Sequence, residues 1–255
     1  MQRSAALTTV VAQLALILAG CAPGGSNSSG DSAAVTTDST ATAGSAAGGL
    51  TADQRAGGWK PLFDGATTAG WRGYKTQTVP AGWRAVDATL TKSGPIGDLV
   101  TTGQYGDFEL AFDWMMSAGG NAGVFYRATE DYDHIYWSAP EYQLLDDAGH
   151  PDGKNRLTSA GAAYGLYPAP ASVVKPAGQW NSSMIVARGN RIQHWLNGQK
   201  LLEYEIASPD WETKVKAGKF VDYPKYGRSP RGYIGFQGDH DGTLTLRNVR
   251  IRELR

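Results

Sequence analysis

The chain of 255 residues has a single cysteine, Cys21, so no intramolecular disulfide can staple the fold and no cysteine pair exists for a zinc site. Charge of one sign is also missing: 24 Lys and Arg balance 24 Asp and Glu. That balance removes the electrostatic reason to expect nucleic acid or an anionic membrane surface as partner. No apolar run is long enough to span a bilayer; the stretch 5–18 is short and broken by Thr8, Thr9 and Gln13. A phosphate-binding glycine loop ending in Lys and Ser or Thr is absent, and the glycines at 119–123 precede a strand pattern, not a helix. No Gly-x-Ser-x-Gly elbow is present for acyl transfer. Long helical periodicity is lacking too; only residues 208–219 read as a short helix, opening on Ser208-Pro209.

What is present begins with an export pattern. Arg3 is followed by the apolar stretch and then Leu18-Ala19-Gly20-Cys21. This resembles a bacterial lipobox, with cleavage before Cys21 and diacylation of its sulfur, and Ala22 after it favours the outer membrane where the cell has one. Residues 1–20 are thus expected to be a signal peptide. Residues 21–52, rich in Gly, Ser, Ala and Thr, are expected to be a flexible tether. The expected location is the cell envelope, held by the lipid on Cys21 on the outer membrane or the periplasmic face.

Residues 53–255 read as one all-β domain. Phe108, Leu110, Phe112, Trp114 and Met116 alternate with Glu109, Ala111, Asp113 and Met115, the period of a half-buried strand. Further strands are predicted at 124–127, 142–145, 184–188, 192–196, 201–206 and 233–236. Turns fall at Gly119-Gly120, Gly189-Asn190, Asn197-Gly198 and 239–242. In the last strand Leu244 and Leu246 share one phase and Val249 and Ile251 the other, which predicts a bulge near Asn248. Short strands with glycine-rich turns and no βαβ alternation imply a sandwich or jelly roll. Eight Trp and twelve Tyr suit a β core and a sugar face equally well.

The candidate chemistry is sparse. Of the four histidines, His194 shares a strand face with Ile192 and Leu196, which predicts packing. His150 and His240 stand beside Asp147 and Asp152, and Asp239 and Asp241, in glycine-rich turns where an imidazole serves as base or metal ligand. On a strand at 140–147, Tyr142 and Leu144 point one way and Glu141 and Gln143 the other. If the first pair enters the core, a carboxylate and an amide project together from the open face, spaced to hold neighbouring sugar hydroxyls. Gln143 stands where a laminarinase-type strand carries a second carboxylate, so a two-carboxylate glycosidase mechanism does not fit.

Taken together, the segments resemble the 3-keto-disaccharide hydrolase domain family. GNAGVFYR at 120–127, PEYQLLDD at 140–147, AGAAYGLY at 160–167, GQWN at 178–181, HWLNG at 194–198, GYIGFQ at 232–237 and LRNVRI at 246–251 carry the likeness in order. The resemblance implies a concanavalin A-like jelly-roll sandwich of two antiparallel sheets. It implies cleavage of glycosides whose carbon 3 is already a ketone, by elimination and hydration, with a sugar dehydrogenase as functional partner. Glu141 or His150 is then the expected base, and Arg127 or a divalent metal the expected stabiliser of the enolate. Gln143 and Gln237 would position hydroxyls; Tyr126, Asp146 and Tyr164, in the same motifs, are assigned to the substrate. Asp239 and His240 are the expected metal ligands, and no organic cofactor is expected. Two departures weaken the carry-over: the extra Gly238 shifts Asp239 and His240 by one position, and Tyr233 replaces a frequent His. The fold alone also suits a noncatalytic lectin-like module, and the charged groups tilt the reading toward an enzyme.

Overall fold

Period-2 alternation is realised as two packed sheets. The computed structural model describes residues 49–170 and 173–255. Cys21, the export signal and the tether up to residue 48 lie outside the described residues. Among the described residues there are thirteen strands: β1 (Lys60–Pro61), β2 (Trp71–Gly73), β3 (Arg84–Val86), β4 (Thr89–Ser93), β5 (Leu99–Thr101), β6 (Phe108–Met116), β7 (Asn121–Ala128), β8 (Glu141–Leu145), β9 (Asn181–Arg188), β10 (Arg191–Leu196), β11 (Gln199–Glu205), β12 (Tyr233–Phe236) and β13 (Thr243–Glu253). Two short α-helices, α1 (Ala52–Ala56) and α2 (Pro209–Ala217), and two 3-10 turns, Ile135–Trp137 and Pro151–Lys154, are the other elements among the described residues. Ser208 caps α2, its side chain accepting from the Trp211 amide. Among the described residues no helix is long and apolar enough to cross a membrane.

One sheet runs β11-β10-β9-β6-β13-β4-β3, with β1 added against β13; the other runs β2-β5-β12-β7-β8. All the paired strands are antiparallel, giving the jelly-roll sandwich. The core lies between the sheets. Phe112 of β6 meets Tyr142 of β8 and Phe236 of β12 edge-on, both with ring centroids 6.1 Å apart. Each such ring removed from water contributes about 1.5–3 kcal/mol, which matters in a chain without disulfides.

The slip in β13 is a bulge. Its pairing with β6 shifts between Arg247 and Arg250, and Asn248 takes a φ of 53°. The Asn248 side chain donates to Asp113 Oδ2 at 2.7 Å, so an asparagine suits both the left-handed backbone and the partner strand. Leu244, Leu246, Val249 and Ile251 are consequently all buried. The Asn197-Gly198 turn has both residues at positive φ, as a tight hairpin requires.

Candidate active site

The outer face of the five-stranded sheet carries the pocket. Along β7, Ala122, Val124 and Tyr126 join the core between the sheets. On β8, Tyr142 and Leu144 do the same, which leaves Glu141 and Gln143 on the outer side. Gln143 pairs with Gly123, and the Gln237 backbone N–H, just past the end of β12, donates to the Gly123 carbonyl at 2.9 Å, which brings Gln237, Gly123 and Gln143 into one row. Gly123 is the floor. A Cβ there would overlap the Glu141 carboxyl, so only glycine leaves room for that side chain to fold over the sheet.

Loops close the sides. The 161–164 segment bonds along the open edge of β8: Gly161 N to Gln143 O at 2.9 Å and Tyr164 N to Glu141 O at 3.1 Å. This covers a strand edge and sets Tyr164 at the rim. A single 3-10 turn, Ile135–Trp137, presents Tyr136, and Lys219 arrives just after α2. The turn after β12 contributes Asp239 and His240. The hollow has a volume of about 220 Å³ and is also lined by Asn121. That is below the ~300–1,000 Å³ of sites for drug-sized ligands and fits a single sugar ring.

Two amide oxygens in this pocket lack a partner. Gln143 donates through Nε2 to Asn121 Oδ1 at 3.1 Å, leaving its Oε1 buried and unpaired. Gln237 Oε1 is likewise buried and unpaired. Buried polar atoms are nearly always hydrogen-bonded, so both require a donor from outside the protein, and sugar hydroxyls are donors.

Glu141 is only 7% exposed, and burial pushes its carboxyl up to about 8. The Lys219 ammonium opposes that rise, while Asp239, Asp98 and Asp152 add to it. Lys219 is itself lowered by burial, against the pull of Glu141 and Asp152. Its ammonium lies over the Tyr164 ring at 4.2 Å, with Phe220 at 5.3 Å and Tyr136 at 5.9 Å. Burial also raises the Tyr164 hydroxyl to about 12, so it stays protonated. Behind the pocket, burial holds Asp98 up to about 7.

Of the predicted site residues, the structure gathers Glu141, Gln143, Gln237, Tyr164, Asp239 and His240. Four others lie elsewhere. Arg127 stands at a bulge where the β7–β12 register shifts, with a φ of 55°; its guanidinium donates to Gly106 O at 2.9 Å and Asp107 Oδ1 at 3.1 Å. It is committed to those partners and does not line the pocket. Tyr126 faces the core, its hydroxyl shared between His194 Nε2 at 3.0 Å and the Tyr204 hydroxyl, so it is no substrate ligand. Asp146 accepts the Gly119 amide at 2.8 Å and lines a separate cleft. His150 uses Nδ1 to accept the Asp152 amide at 3.1 Å and caps a 3-10 turn outside the pocket. His194 packs as expected, and burial lowers it to about 3, which keeps it neutral.

Asp239 and His240, the expected metal ligands, both belong to the turn after β12. Asp239 Oδ1 and His240 Nε2 stand 3.8 Å apart at the rim, and among the described residues no group of three or more His, Cys, Asp or Glu side chains could hold a metal ion. Sequence reading missed Asn121, Tyr136 and Lys219.

Comparison with known proteins matches this architecture. Residues 58–252 fit the model of a family described as a 3-keto-alpha-glucoside-1,2-lyase-like domain. The chain belongs to that family. A 3-keto-disaccharide hydrolase of Bacteroides thetaiotaomicron is 34% identical over 231 residues, covering 78% of this chain and 79% of that protein. A crystal structure from Parabacteroides distasonis, provisionally assigned as a glycosyl hydrolase, superposes with a TM-score of 0.77 at 33% identity, covering 82% of this chain and 99% of that one. A second from the same organism, with the same provisional assignment, gives 0.61 at 27% identity, covering 77% and 99%. As a member of this family the chain is a carbohydrate-active enzyme of the glycoside hydrolase or lyase type.

Proposed function

We propose that the pocket cleaves 3-keto-glycosides by elimination across carbons 1 and 2, followed by hydration. The observation that carries this reading is the combination of a buried Glu141, whose carboxyl burial pushes upward, with two unpaired amide oxygens and the Lys219 ammonium in one hollow of about 220 Å³. A ketone at carbon 3 acidifies the hydrogen on carbon 2. His240, with Asp239 beside it, takes that proton, and the electron pair moves onto the carbonyl oxygen as an enolate. The Lys219 ammonium, not Arg127, faces the developing negative charge. The enolate collapses to a double bond between carbons 1 and 2, the glycosidic bond breaks, and Glu141 protonates the departing oxygen. Glu141, now a carboxylate, draws a proton from water as it adds to carbon 1. His240 returns its proton to carbon 2, and the sum is hydrolysis. If water does not add, the product is the unsaturated keto sugar and the enzyme is a lyase.

Gln143 and Gln237 accept hydroxyls of the bound ring, and Tyr164 donates at the rim. The ketone must be installed beforehand, so a sugar dehydrogenase is part of the proposal. So is export with lipid anchoring at Cys21, which Cys21→Ser with metabolic fatty-acid labelling tests: label should be lost. The reaction itself is tested with a 3-keto disaccharide and its unoxidised parent. Release of a free sugar from the keto form alone supports the proposal. Binding of both without cleavage would make the domain a lectin, and cleavage of both would remove the need for a ketone.

A further inference from the structure

Lys92, on β4, exposes no surface to solvent. Lysine is almost never fully buried unless paired, because an isolated ammonium is costly to desolvate. Among the described residues no carboxylate lies within ion-pair distance of it. Its Nζ instead donates to three backbone carbonyls: His240 at 2.5 Å, Gly238 at 3.4 Å and Gly94 at 3.4 Å. An ammonium has three N–H groups, and three carbonyls use them all.

Two of those carbonyls belong to the turn that delivers Asp239 and His240 to the pocket. Other bonds tie the same turn to residues 94–98. Gly238 N donates to Asp98 Oδ1 at 2.8 Å, Ile96 N donates to Gly238 O at 2.8 Å, and Gly94 N donates to Gly242 O at 3.1 Å. A Cβ at Gly238 would collide with the Ile96 and Gly97 carbonyls, so the turn can come this close only through glycine. The turn and the 94–98 segment thus form one clamp with the ammonium inside it.

We propose that Lys92 is a positioning residue, an internal cation whose carbonyl cage fixes the 238–242 turn and so places His240 and Asp239 for proton transfer at carbon 2. The inference rests on the reaction proposed above, but the clamp itself has a readout of its own. Lys92 does not touch the pocket, so its loss should act through placement. Displacing a reacting group by about 1 Å is enough to cost ~10²-fold in rate.

The test uses the full chain with Lys92→Met, and with Lys92→Gln, which keeps a buried donor without the charge. Amide hydrogen exchange in 238–242 should quicken in Lys92→Met while β9–β11 stay protected. With a 3-keto disaccharide, kcat should fall by about 10²-fold while KM, governed by Gln143 and Gln237, stays nearly constant. Lys92→Gln should lie between wild type and Lys92→Met in both measurements, and it decides the matter if Lys92→Met fails to fold. Unchanged exchange in the turn overturns the clamp. Faster exchange with unchanged kcat, or equal losses in kcat and substrate affinity, overturns the positioning role. If the wild-type chain leaves the keto substrate intact, the reaction proposal fails while the exchange result still judges the clamp.

Discussion

Replacing Glu141 by Gln should make a protein that is far less active yet more stable, and the gain should depend on pH. In the folded state burial raises this carboxyl to about 8 from an ordinary value of 4.5. A folded pKa above the unfolded one contributes stability that is present in full below the unfolded value and lost as pH rises through the folded value. Folding at pH 7 must therefore keep a proton on Glu141 that the unfolded chain would release. Over 2.5 units that costs about 3 kcal/mol, rising to about 5 kcal/mol above pH 8 and vanishing near pH 4. An amide carries no such cost. Thermal unfolding at pH 7 should thus show Glu141→Gln melting about 5–10 °C higher for a domain of this size, with the difference closing toward pH 4. The amide cannot donate the proton that the leaving oxygen needs, so kcat should fall by about 10²–10⁴-fold with KM little changed. For wild type the acid form is the active one, and kcat should decline as pH rises through about 8. A melting difference that is flat with pH, or a variant that keeps wild-type kcat, would refute the placement of Glu141 as a buried acid.

Other substitutions probe the same geometry. Lys219→Met should lower kcat by about 10²-fold; because the ammonium pulls the Glu141 value down, its loss should also move the alkaline limb of the pH–rate profile upward. Gly123→Ala should preserve the fold, seen as an unchanged circular dichroism spectrum, yet cripple turnover, since the added methyl occupies the space of the Glu141 carboxyl. Arg127→Gln should lower the melting temperature by removing the bonds to Gly106 and Asp107, while kinetics of the folded protein stay at wild-type values.

The strand pattern was readable because burial on one face writes itself as alternation. Residues 108–116 and the phase slip at Asn248 are both visible in the sequence and both stand in the structure. The same rule also contained a warning about the site. Tyr126 and Arg127 are adjacent on β7, so a regular strand sends them to opposite faces, and both could not serve one pocket. In fact neither does: Tyr126 enters the core, and a local bulge takes Arg127 to Asp107. Glu141 and Gln143 were recoverable from spacing alone, since Tyr142 and Leu144 claim the core. Lys219 was not, because a lysine at the end of a charged helix looks like solvated surface until the tertiary fold lays it over Tyr164. Lys92 was hidden for a related reason, as its partners are carbonyls, which every residue has and no sequence displays.

Abstraction of the carbon 2 hydrogen is the step on which every assigned role converges, and isotopic substitution there reads it directly. A 3-keto disaccharide bearing deuterium at carbon 2 should be cleaved more slowly than the protonated compound in single-turnover kinetics. The slowing should be present in wild type and persist in slower variants of the His240 turn. Equal rates for the two isotopologues, with cleavage intact, would mean that the glycosidic bond breaks without proton removal from carbon 2.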